Sequence, residues 1–405
     1  MIRLKALIAL IVAALAAGPA VAADPNPQDW PAVTKEATGQ AVYFDAWGGE
    51  PRINAYIAWA AGELKARYGI DLVHVKVSDT ANVVSQVLAE KTAGRDTGGS
   101  VDLVWINGEN FAAMRRHDLL MSPGWATLLP NWAYVDVDGK PTVLTDATVR
   151  VDGLEAPWGM AQLVFLHDID TLPDPPRDLD ALKAYIVDHP GRFTYPQPPD
   201  FLGTTFLKQL LVTLAPDGLA LDRPATDANF AAEVAPVLAY LDEITPHLWR
   251  KGAAYPANVS ELRQLFADRE TDLAFTFNPS DASAAIADGE LPDTVRPYVL
   301  EGGTIGNTHF VAIPYNANAK AAALVTANFL LSPEAQARKA DPAIWGDPTV
   351  LDVAGLPEAD RARFDTLAED PAILPPAQMR PTLREPDPSW TERLEQAWTA
   401  RYGSR

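Results

Sequence analysis

The 405-residue chain contains no cysteine, so it has no disulfide, no thiol nucleophile and no thiolate metal site. Its stability must come from packing, and 48% hydrophobic residues are sufficient for a full core. Basic residues are also scarce, because 33 Lys and Arg against 53 Asp and Glu leave a formal charge of −20. Such a surface repels phosphate backbones, so we expect no nucleic-acid partner. The charge either serves solubility or favours cations.

The sequence also lacks the short motifs of several enzyme classes. It contains no Walker A sequence, no H-E-x-x-H pair and no G-x-S-x-G elbow. The six histidines are widely separated and do not show a metal-ligand spacing. We therefore predict no catalytic residue, no metal and no cofactor.

A long apolar run occurs only at the start of the chain. Arg3 and Lys5 precede the uncharged residues 6–17, and small residues follow at 20–23. This order is typical of a secretory signal peptide, and the run is short for a membrane span, which needs about 20 apolar residues. We expect residues 1–23 to be cleaved and the mature protein to be a soluble periplasmic monomer. An uncleaved anchor is the alternative.

Strand and helix patterns alternate along the chain. Apolar strands at 41–47, 70–77 and 102–106 are separated by helical patterns, and a second α/β block follows with strands at 156–168, 192–200 and 272–280. Alternation of this kind predicts mostly parallel sheets with helices on both faces. Ligands of such sheets bind beyond the carboxyl ends of the strands.

The two blocks predict two α/β lobes with a cleft between them. Extended segments near 157–164 and 299–306 are expected to cross from one lobe to the other. Lobe 1 is predicted to contain residues 24–160 and about 303–345. Lobe 2 is predicted to contain residues 161–302 and about 346–405.

Several segments carry a resemblance to a known family, namely YFDAWGGEPRIN, DLVWINGENF, PWGMAQLVF, RFTYPQPPDFLGTTFLKQL, GTIGNTHFVAIP and WGDPTVL. Together they resemble the extracellular solute-binding proteins of ABC importers, in particular the YnjB-like subfamily, and NFLLSPEAQARKADP resembles a helix-break-helix segment of the wider family. The resemblance implies a type II periplasmic-binding-protein fold, a solute held between the lobes and an ABC permease as partner. Similar proteins bind thiamine, polyamines, iron or sugars. Related ferric binders use adjacent tyrosines, which this chain lacks.

Polar, aromatic and glycine residues at the strand ends and crossings form the predicted ligand-binding set. Glycine lets the backbone approach a ligand, tryptophan can stack on a ring or a cation, and helix starts can bind anions. Tight turns, helix caps and hinge packing are the structural alternatives. The set is Trp47, Gly48, Gly49, Asn107, Glu109, Asn110, Trp158, Gly159, Gln162, Tyr195, Thr204, Thr205, Asn278, Ser280, Thr304 and Asn307.

Three functions are compatible with this pattern. The first is a solute-binding protein that takes a neutral, cationic or zwitterionic organic solute and delivers it to a permease. The second is a secreted hydrolase that uses carboxylates such as Glu109 and Glu155, although no positioned acid and base is evident. The third is a ligand-sensing partner of a membrane receptor.

Overall fold

The structure is a computed structural model that describes residues 24–216, 221–367, 370–379 and 381–403. The predicted signal peptide, residues 1–23, lies outside the described residues. Within these ranges, no helix combines the length and the apolar character that crossing a membrane requires.

Eleven strands occur in the described ranges. In chain order they are β1 Ala41–Trp47, β2 Asp71–Val77, β3 Leu103–Ile106, β4 Thr145–Asp146, β5 Val149–Arg150, β6 Glu155–Gln162, β7 Val164–Asp168, β8 Leu273–Thr276, β9 Val295–Tyr298, β10 Thr304–Ala312 and β11 Thr382–Leu383. They form a six-stranded sheet, a three-stranded sheet and the small hairpin of β4 and β5.

The helices surround these sheets. They are α1 Trp30–Ala37, α2 Pro51–Tyr68, α3 Thr80–Thr92, α4 Gly108–Arg116, α5 Leu179–Asp188, α6 Phe201–Leu214, α7 Asp227–Ile244, α8 Val259–Ala267, α9 Asp281–Ala287, α10 Lys320–Leu330, α11 Pro333–Ala340, α12 Glu358–Asp365 and α13 Ser389–Tyr402. Pro51 occupies the first turn of α2, where its missing N–H is not needed, and Gly69 ends that helix in the left-handed conformation.

The first three strands of the larger sheet are parallel, as the sequence predicted. Strands β2, β1 and β3 run parallel, and β10 then joins β3 in the antiparallel direction and pairs with β6 and β11 as well. The carboxyl ends of β1 and β3 are therefore at the same edge, which carries Trp47 and Asn107. This edge is where an α/β sheet binds ligands.

The smaller sheet departs from the prediction, because β7 pairs antiparallel with both β8 and β9. Connectivity explains the difference: β7 leaves the crossing from the larger sheet and β9 leads back to it, so the two strands must run in opposite directions. The strand predicted at 192–200 is also wrong, since no regular strand forms there. Pro196, Pro198 and Pro199 lack the N–H groups that a sheet ladder requires.

Each sheet has its own buried core. In the first, Trp158 packs among aromatic side chains that include Phe44, Tyr56 and Trp345. In the second, Phe165, Phe193, Phe206 and Phe275 lie in one cluster. Two separate cores define two lobes, and the segments that run between them are the crossings.

Three segments cross between the lobes. The first passes from β6 to β7 and the second from β9 to β10. The third contains β11, which pairs with the start of β10 before the chain enters α13. The predicted lobe division implied a third crossing near residue 346, but strand β11 was not predicted.

Candidate functional site

The glycines after β1 are required by packing. A Cβ at Gly49 would lie 2.4 Å from the ring of Trp47, and one at Gly48 would lie 2.6 Å from the Cβ of Lys76. Neighbouring side chains therefore account for both glycines without a ligand. Trp47 itself is 37% exposed at the end of β1 and keeps a free ring surface.

The polar segment after β3 forms the start of α4. Gly108 adopts a positive φ, and its N–H points between the two carboxylate oxygens of Asp146, at 2.8 and 2.7 Å. Asn107 precedes the helix but, among the described residues, its side chain makes no capping hydrogen bond. Asn107 and Asn110 are half-buried, and Glu109 is exposed. Helix capping therefore does not explain these polar side chains, which remain available to a ligand.

The sequence suggested that Thr204 and Thr205 start a helix, but the structure places both after the helix start. Helix α6 begins at Phe201, and the carboxylate of Asp200 accepts hydrogen bonds from Leu202 N and Gly203 N. A carboxylate of the chain itself thus occupies the helix N-terminus, so the predicted anion site there is wrong. The hydroxyl of Thr205 donates to the carbonyl of Phe201 within the helix.

Charged and polar side chains of both lobes meet beside the crossings. We call this group the interlobe cluster, and it consists of Glu109, Asp146, Thr204, Lys208, Asn307, Glu385 and Glu395. The ammonium of Lys208 lies 2.5 Å from Glu385 Oε1, and Asn307 Nδ2 donates to Glu385 Oε2 at 3.0 Å. Thr204 Oγ1 donates to Glu395 Oε1 at 2.7 Å. The cluster therefore joins α6 and α13 of lobe 2 to β10 and the third crossing.

Electrostatic coupling brings Glu109 of lobe 1 into the same cluster. Burial alone lowers the pKa of Lys208, but the carboxylates of Glu385, Glu109 and Glu395 offset this and raise it. Burial raises the pKa of Glu395, and the negative charge of Glu109 raises it further. Burial would raise the pKa of Glu385, but Lys208 more than compensates and lowers it.

Two neighbouring acids are buried in lobe 1. The pKa of Asp146 lies well above its usual range because of burial, assisted by Glu385 and Glu109. Burial and the nearby Asp146 likewise raise the pKa of Glu155. Neither oxygen of Glu155 has a hydrogen-bond partner among the described residues. Burial therefore favours the protonated form of both acids.

Asn307 has an unused acceptor at the centre of the cluster. Its side chain is 5% exposed, and within the described part of the chain its Oδ1 has no hydrogen-bond partner. A cavity that holds about one water molecule lies beside it. Thr142, Thr145 and Glu385 also line this cavity. A buried acceptor without a donor is costly, so this position suits a group that brings an N–H.

The side chains of Gln162 and Thr304 bind each other at the crossings. Gln162 Nε2 donates to Thr304 Oγ1 at 2.9 Å and to the carbonyl of Met379 at 2.8 Å. Its Oε1 accepts from Thr382 Oγ1 at 3.2 Å. One amide thus links all three crossings, which makes Gln162 a hinge residue rather than a ligand residue.

Three other predicted residues lie in the cores. Trp158 is fully buried among aromatic rings, and Tyr195 is fully buried with its hydroxyl accepting from Trp398 Nε1 at 2.9 Å. A Cβ at Gly159 would lie 2.0 Å from Asp347 Oδ2. The prediction that these three contact a ligand is corrected accordingly, because their surroundings are core side chains.

Asn278 and Ser280 take part in a second contact between the lobes. Asn278 Oδ1 accepts from Ser280 N at 3.1 Å, and Ser280 Oγ donates to the carbonyl of Gly346 at 2.5 Å. Arg52 of α2 reaches the same helix, with one nitrogen 3.1 Å from Asp288 Oδ1. These bonds connect α9 to lobe 1 at a position separate from the interlobe cluster.

Sequence reasoning missed most of the charged members of the interlobe cluster. Lys208 and Glu385 are 177 residues apart, and no spacing in the sequence relates them. Phe201 was missed as well: it is 48% exposed, and its ring centroid lies 5.9 Å from the ammonium of Lys208. An isolated lysine inside the apolar pattern of α6 was the one available signal.

A wide groove runs along the crossings and shares Thr142, Thr145 and Arg384 with the small cavity beside Asn307. Its volume is about 2580 Å³, and Met160, Gln162, Tyr298 and Phe364 are among its lining residues. Pockets that enclose a small ligand measure roughly 300–1,000 Å³, so the whole groove is larger than one small solute requires. Among the described residues, no three His, Asp or Glu side chains are arranged to bind a metal ion.

Comparison with known sequences identifies the family. A family model described as bacterial extracellular solute-binding protein matches residues 59–373. The chain therefore belongs to the bacterial extracellular solute-binding family, as the sequence segments predicted. It is 47% identical to the protein YnjB of Escherichia coli K12 over 376 residues, which cover 93% of this chain and 94% of the relative.

Solved structures share the fold at low sequence identity. The TpPotD lipoprotein of Treponema pallidum is 14% identical, with 90% of this chain and 100% of that chain covered and a TM-score of 0.64. The spermidine/putrescine substrate-binding protein PotD of Streptococcus pneumoniae is 15% identical, with 90% and 99% covered and a TM-score of 0.62. These matches confirm the two-lobed type II periplasmic-binding-protein fold.

Family membership also settles the class of function. The family is one of extracellular solute-binding proteins, so the function of this chain is to bind a solute. The alternative of a carboxylate hydrolase is not supported. The two acids considered for it lie in different environments, because Glu109 is exposed and Glu155 is fully buried.

Proposed function

We propose that the chain binds a small organic solute with a cationic group at the interlobe cluster and delivers it to an ABC permease. The observation that supports this most is the unused acceptor of Asn307 Oδ1, buried beside the carboxylate of Glu385. A cationic N–H group would satisfy that acceptor and meet the negative field of Glu109 and Glu395. A zwitterion with such a group fits equally, whereas a neutral solute would place no positive charge opposite Glu109 and Glu395.

Aromatic surfaces at the cleft suit the organic part of the solute. Trp47 is the last residue of β1 in lobe 1, and Phe201 is the first residue of α6 in lobe 2. Both keep exposed ring area, although most large aromatic side chains of the protein are buried. Ring faces attract cations through their quadrupole. We infer that these two rings and the half-buried Asn107 complete the site.

Closure follows from the placement of the site on both lobes. A solute bound at Glu109 on lobe 1 gains contacts to Lys208, Thr204 and Glu395 only when lobe 2 rotates onto it. Ligand-driven closure about short hinge segments is the usual transition of such two-lobed proteins. The permease then recognises the closed form, and no covalent bond changes.

The packing also supports a revised division of the lobes. Val350 and Leu351 pack with Val135 and Val143 beside the larger sheet, whereas Ala372 and Trp390 belong to the core of the smaller one. We propose that the chain leaves lobe 1 after α12, at about residue 367, instead of at residue 346. We also propose that the protein acts in the periplasm as a monomer, after cleavage near residue 23. N-terminal sequencing and light scattering of the exported protein test the last two points.

A solute panel with a matched pair of variants tests the proposed function. Melting temperature is measured with monoamines, diamines, amino acids, thiamine, sugars and organic anions, because a bound ligand raises it by mass action. A cationic or zwitterionic solute should raise it for the wild type and for Glu36→Gln, which alters an exposed acid on α1. Glu109→Gln should reduce the shift. A shift with only sugars or anions, or equal shifts in both variants, would contradict the proposal.

A further inference from the structure

Lys208 is the basic member of the interlobe cluster, and its position is unusual. It lies inside α6, is 4% exposed, and pairs with Glu385 on the third crossing. The carboxylates of Glu109 and Glu395 also act on it. Since every other charged member of the cluster is an acid, Lys208 determines how much negative charge is left for a solute.

The surroundings of the Lys208 ammonium are those of a recognition site for an amine. A carboxylate oxygen of Glu385 lies at 2.5 Å, and the ring centroid of Phe201 at 5.9 Å. Carboxylates and aromatic faces are the groups that bind ammonium ions. The chain has thus placed its own ammonium where a second ammonium of a solute would be held.

The remaining acids can be separated by their environments. Glu385 is neutralised by Lys208 and also accepts from Asn307. Asp146 is buried and accepts a hydrogen bond from the N–H of Gly108. This leaves Glu109 and Glu395 to face the solute, with Glu395 already accepting one hydrogen bond from Thr204.

We propose that Lys208 is a specificity-determining residue that restricts the cleft to solutes with one cationic group and rejects those with two. The proposal rests on the proposed function and adds the charge of the solute to it. A second ammonium would find Glu385 occupied and would be repelled by the ammonium of Lys208. Like charges about 6 Å apart near a protein surface change an equilibrium by on the order of tenfold or more.

The test compares two probes that differ by one charge, n-butylamine and 1,4-diaminobutane. Dissociation constants are measured by calorimetry at one fixed salt concentration for the wild type, Lys208→Met, Glu385→Gln and the double variant. Lys208→Met should shift the ratio of the two constants toward 1,4-diaminobutane by about tenfold or more. The double variant removes one charge of each sign and should return the ratio to near the wild-type value.

Two controls separate charge selectivity from loss of structure. Lys183→Met removes a lysine of a surface ion pair with Glu243 in the same lobe, and should leave the ratio unchanged. Lys208→Arg keeps the charge and should also keep the ratio. If Lys208→Met does not fold, Glu385→Gln provides the test. In that variant Lys208 has lost its paired carboxylate, so its charge should weaken the binding of 1,4-diaminobutane more than the binding of n-butylamine.

An unchanged ratio in Lys208→Met would overturn the proposal, and so would a double variant that keeps the preference of Lys208→Met. Failure of every variant to bind either amine would also overturn it. The proposed function would survive that last result if thiamine or an amino acid still stabilised the protein in a Glu109-dependent way.

Discussion

Two buried lysines in the same protein have opposite properties. Lys208 and Lys339 are both almost free of solvent, and each pairs with one carboxylate, Glu385 and Asp347 respectively. Burial lowers the pKa of Lys339, and Asp347 compensates only in part. The pKa of Lys208 is raised instead, since three carboxylates outweigh its burial.

The difference lies in where the partners come from. Lys339 donates to Asp347 and to the carbonyl of Trp158, and lies 5.4 Å from the ring centroids of Trp158 and Trp345. Trp158 and Trp345 belong to the core around the larger sheet, and Asp347 contacts His309 of β10 in the same sheet. The partners of Lys208 come from both lobes and a crossing, so opening of the cleft changes them. A buried lysine is structural when one rigid core satisfies it, and is suited to function when moving parts do.

The largest expected effect is on the structural lysine. Lys339→Met leaves the carboxylate of Asp347 buried with His309, 3.0 Å away, as its remaining partner. Breaking a buried pair in this way typically costs about 3–5 kcal/mol, which urea denaturation would measure. Lys65→Met, which removes an exposed pair with Asp71, should cost less than about 1 kcal/mol. Equal losses in the two variants would show that Lys339 is not a core partner.

A smaller loss is expected for Lys208→Met. Glu385 retains the hydrogen bond from Asn307, and opening of the cleft gives its carboxylate access to water. We expect a loss of about 1–3 kcal/mol in the free energy of unfolding, the usual penalty for one unsatisfied polar group. Urea denaturation of this variant measures the loss in the free energy of unfolding. A loss as large as that of Lys339→Met would remove the distinction between the two lysines.

A buried acid without a lysine provides the third case. Burial, assisted by Asp102, raises the pKa of Asp45 to about 7. The folded state therefore keeps this proton at pH values where the unfolded chain, with a pKa of about 3.9, has lost it. The contribution of Asp45 to stability is complete below about pH 4 and is lost as pH rises to about 7.

The variant Asp45→Asn isolates this effect. Wild type should lose stability relative to Asp45→Asn between pH 5 and pH 8, measured by urea denaturation at each pH. A difference that stays constant with pH would mean that Asp45 is ionised throughout and has found a partner. Asp102→Asn should lower the apparent pKa of Asp45, because the charge of Asp102 contributes to raising it.

The smallest effect on stability is expected at the cleft surface. Trp47→Ala removes a ring that is 37% exposed, and should cost less than about 1 kcal/mol while weakening solute binding at least about tenfold. Tyr43→Ala is the matched control, since Tyr43 lies on the same strand and is 46% exposed. Its affinity should match that of the wild type. Similar losses of affinity in both variants would indicate a general change in β1.

Local patterns in the sequence predicted much of the fold and only part of the site. The alternation from 41 to 116 correctly gave three parallel strands and their helices, and placed Trp47 and Glu109 at a common edge. The direction of β7, β8 and β9 depends on how the chain returns to the larger sheet, which no local pattern records. The prediction of the site was incomplete for the same reason, because Lys208, Glu385 and Glu395 come together only through the third crossing.

Residue type misled the prediction where chemistry was ambiguous. Trp158, Tyr195 and Thr304 have side chains that could bind a solute, yet all three are buried, and Tyr195 and Thr304 form hydrogen bonds within the protein. Asn107 shows the opposite case, since a common helix-cap residue makes no capping bond among the residues described. Burial decides such cases, and burial depends on tertiary structure.

The amide of Gln162 has a consequence for movement of the lobes. Its hydrogen bonds hold β6, the start of β10 and the segment before β11 at one level. If one of the three segments bends alone, at least one of these bonds must break. The segments are therefore expected to bend together, which favours rotation of the lobes about a single axis over twisting. Each cycle of solute capture and release would then follow one path, and the permease would meet the same closed outline each time.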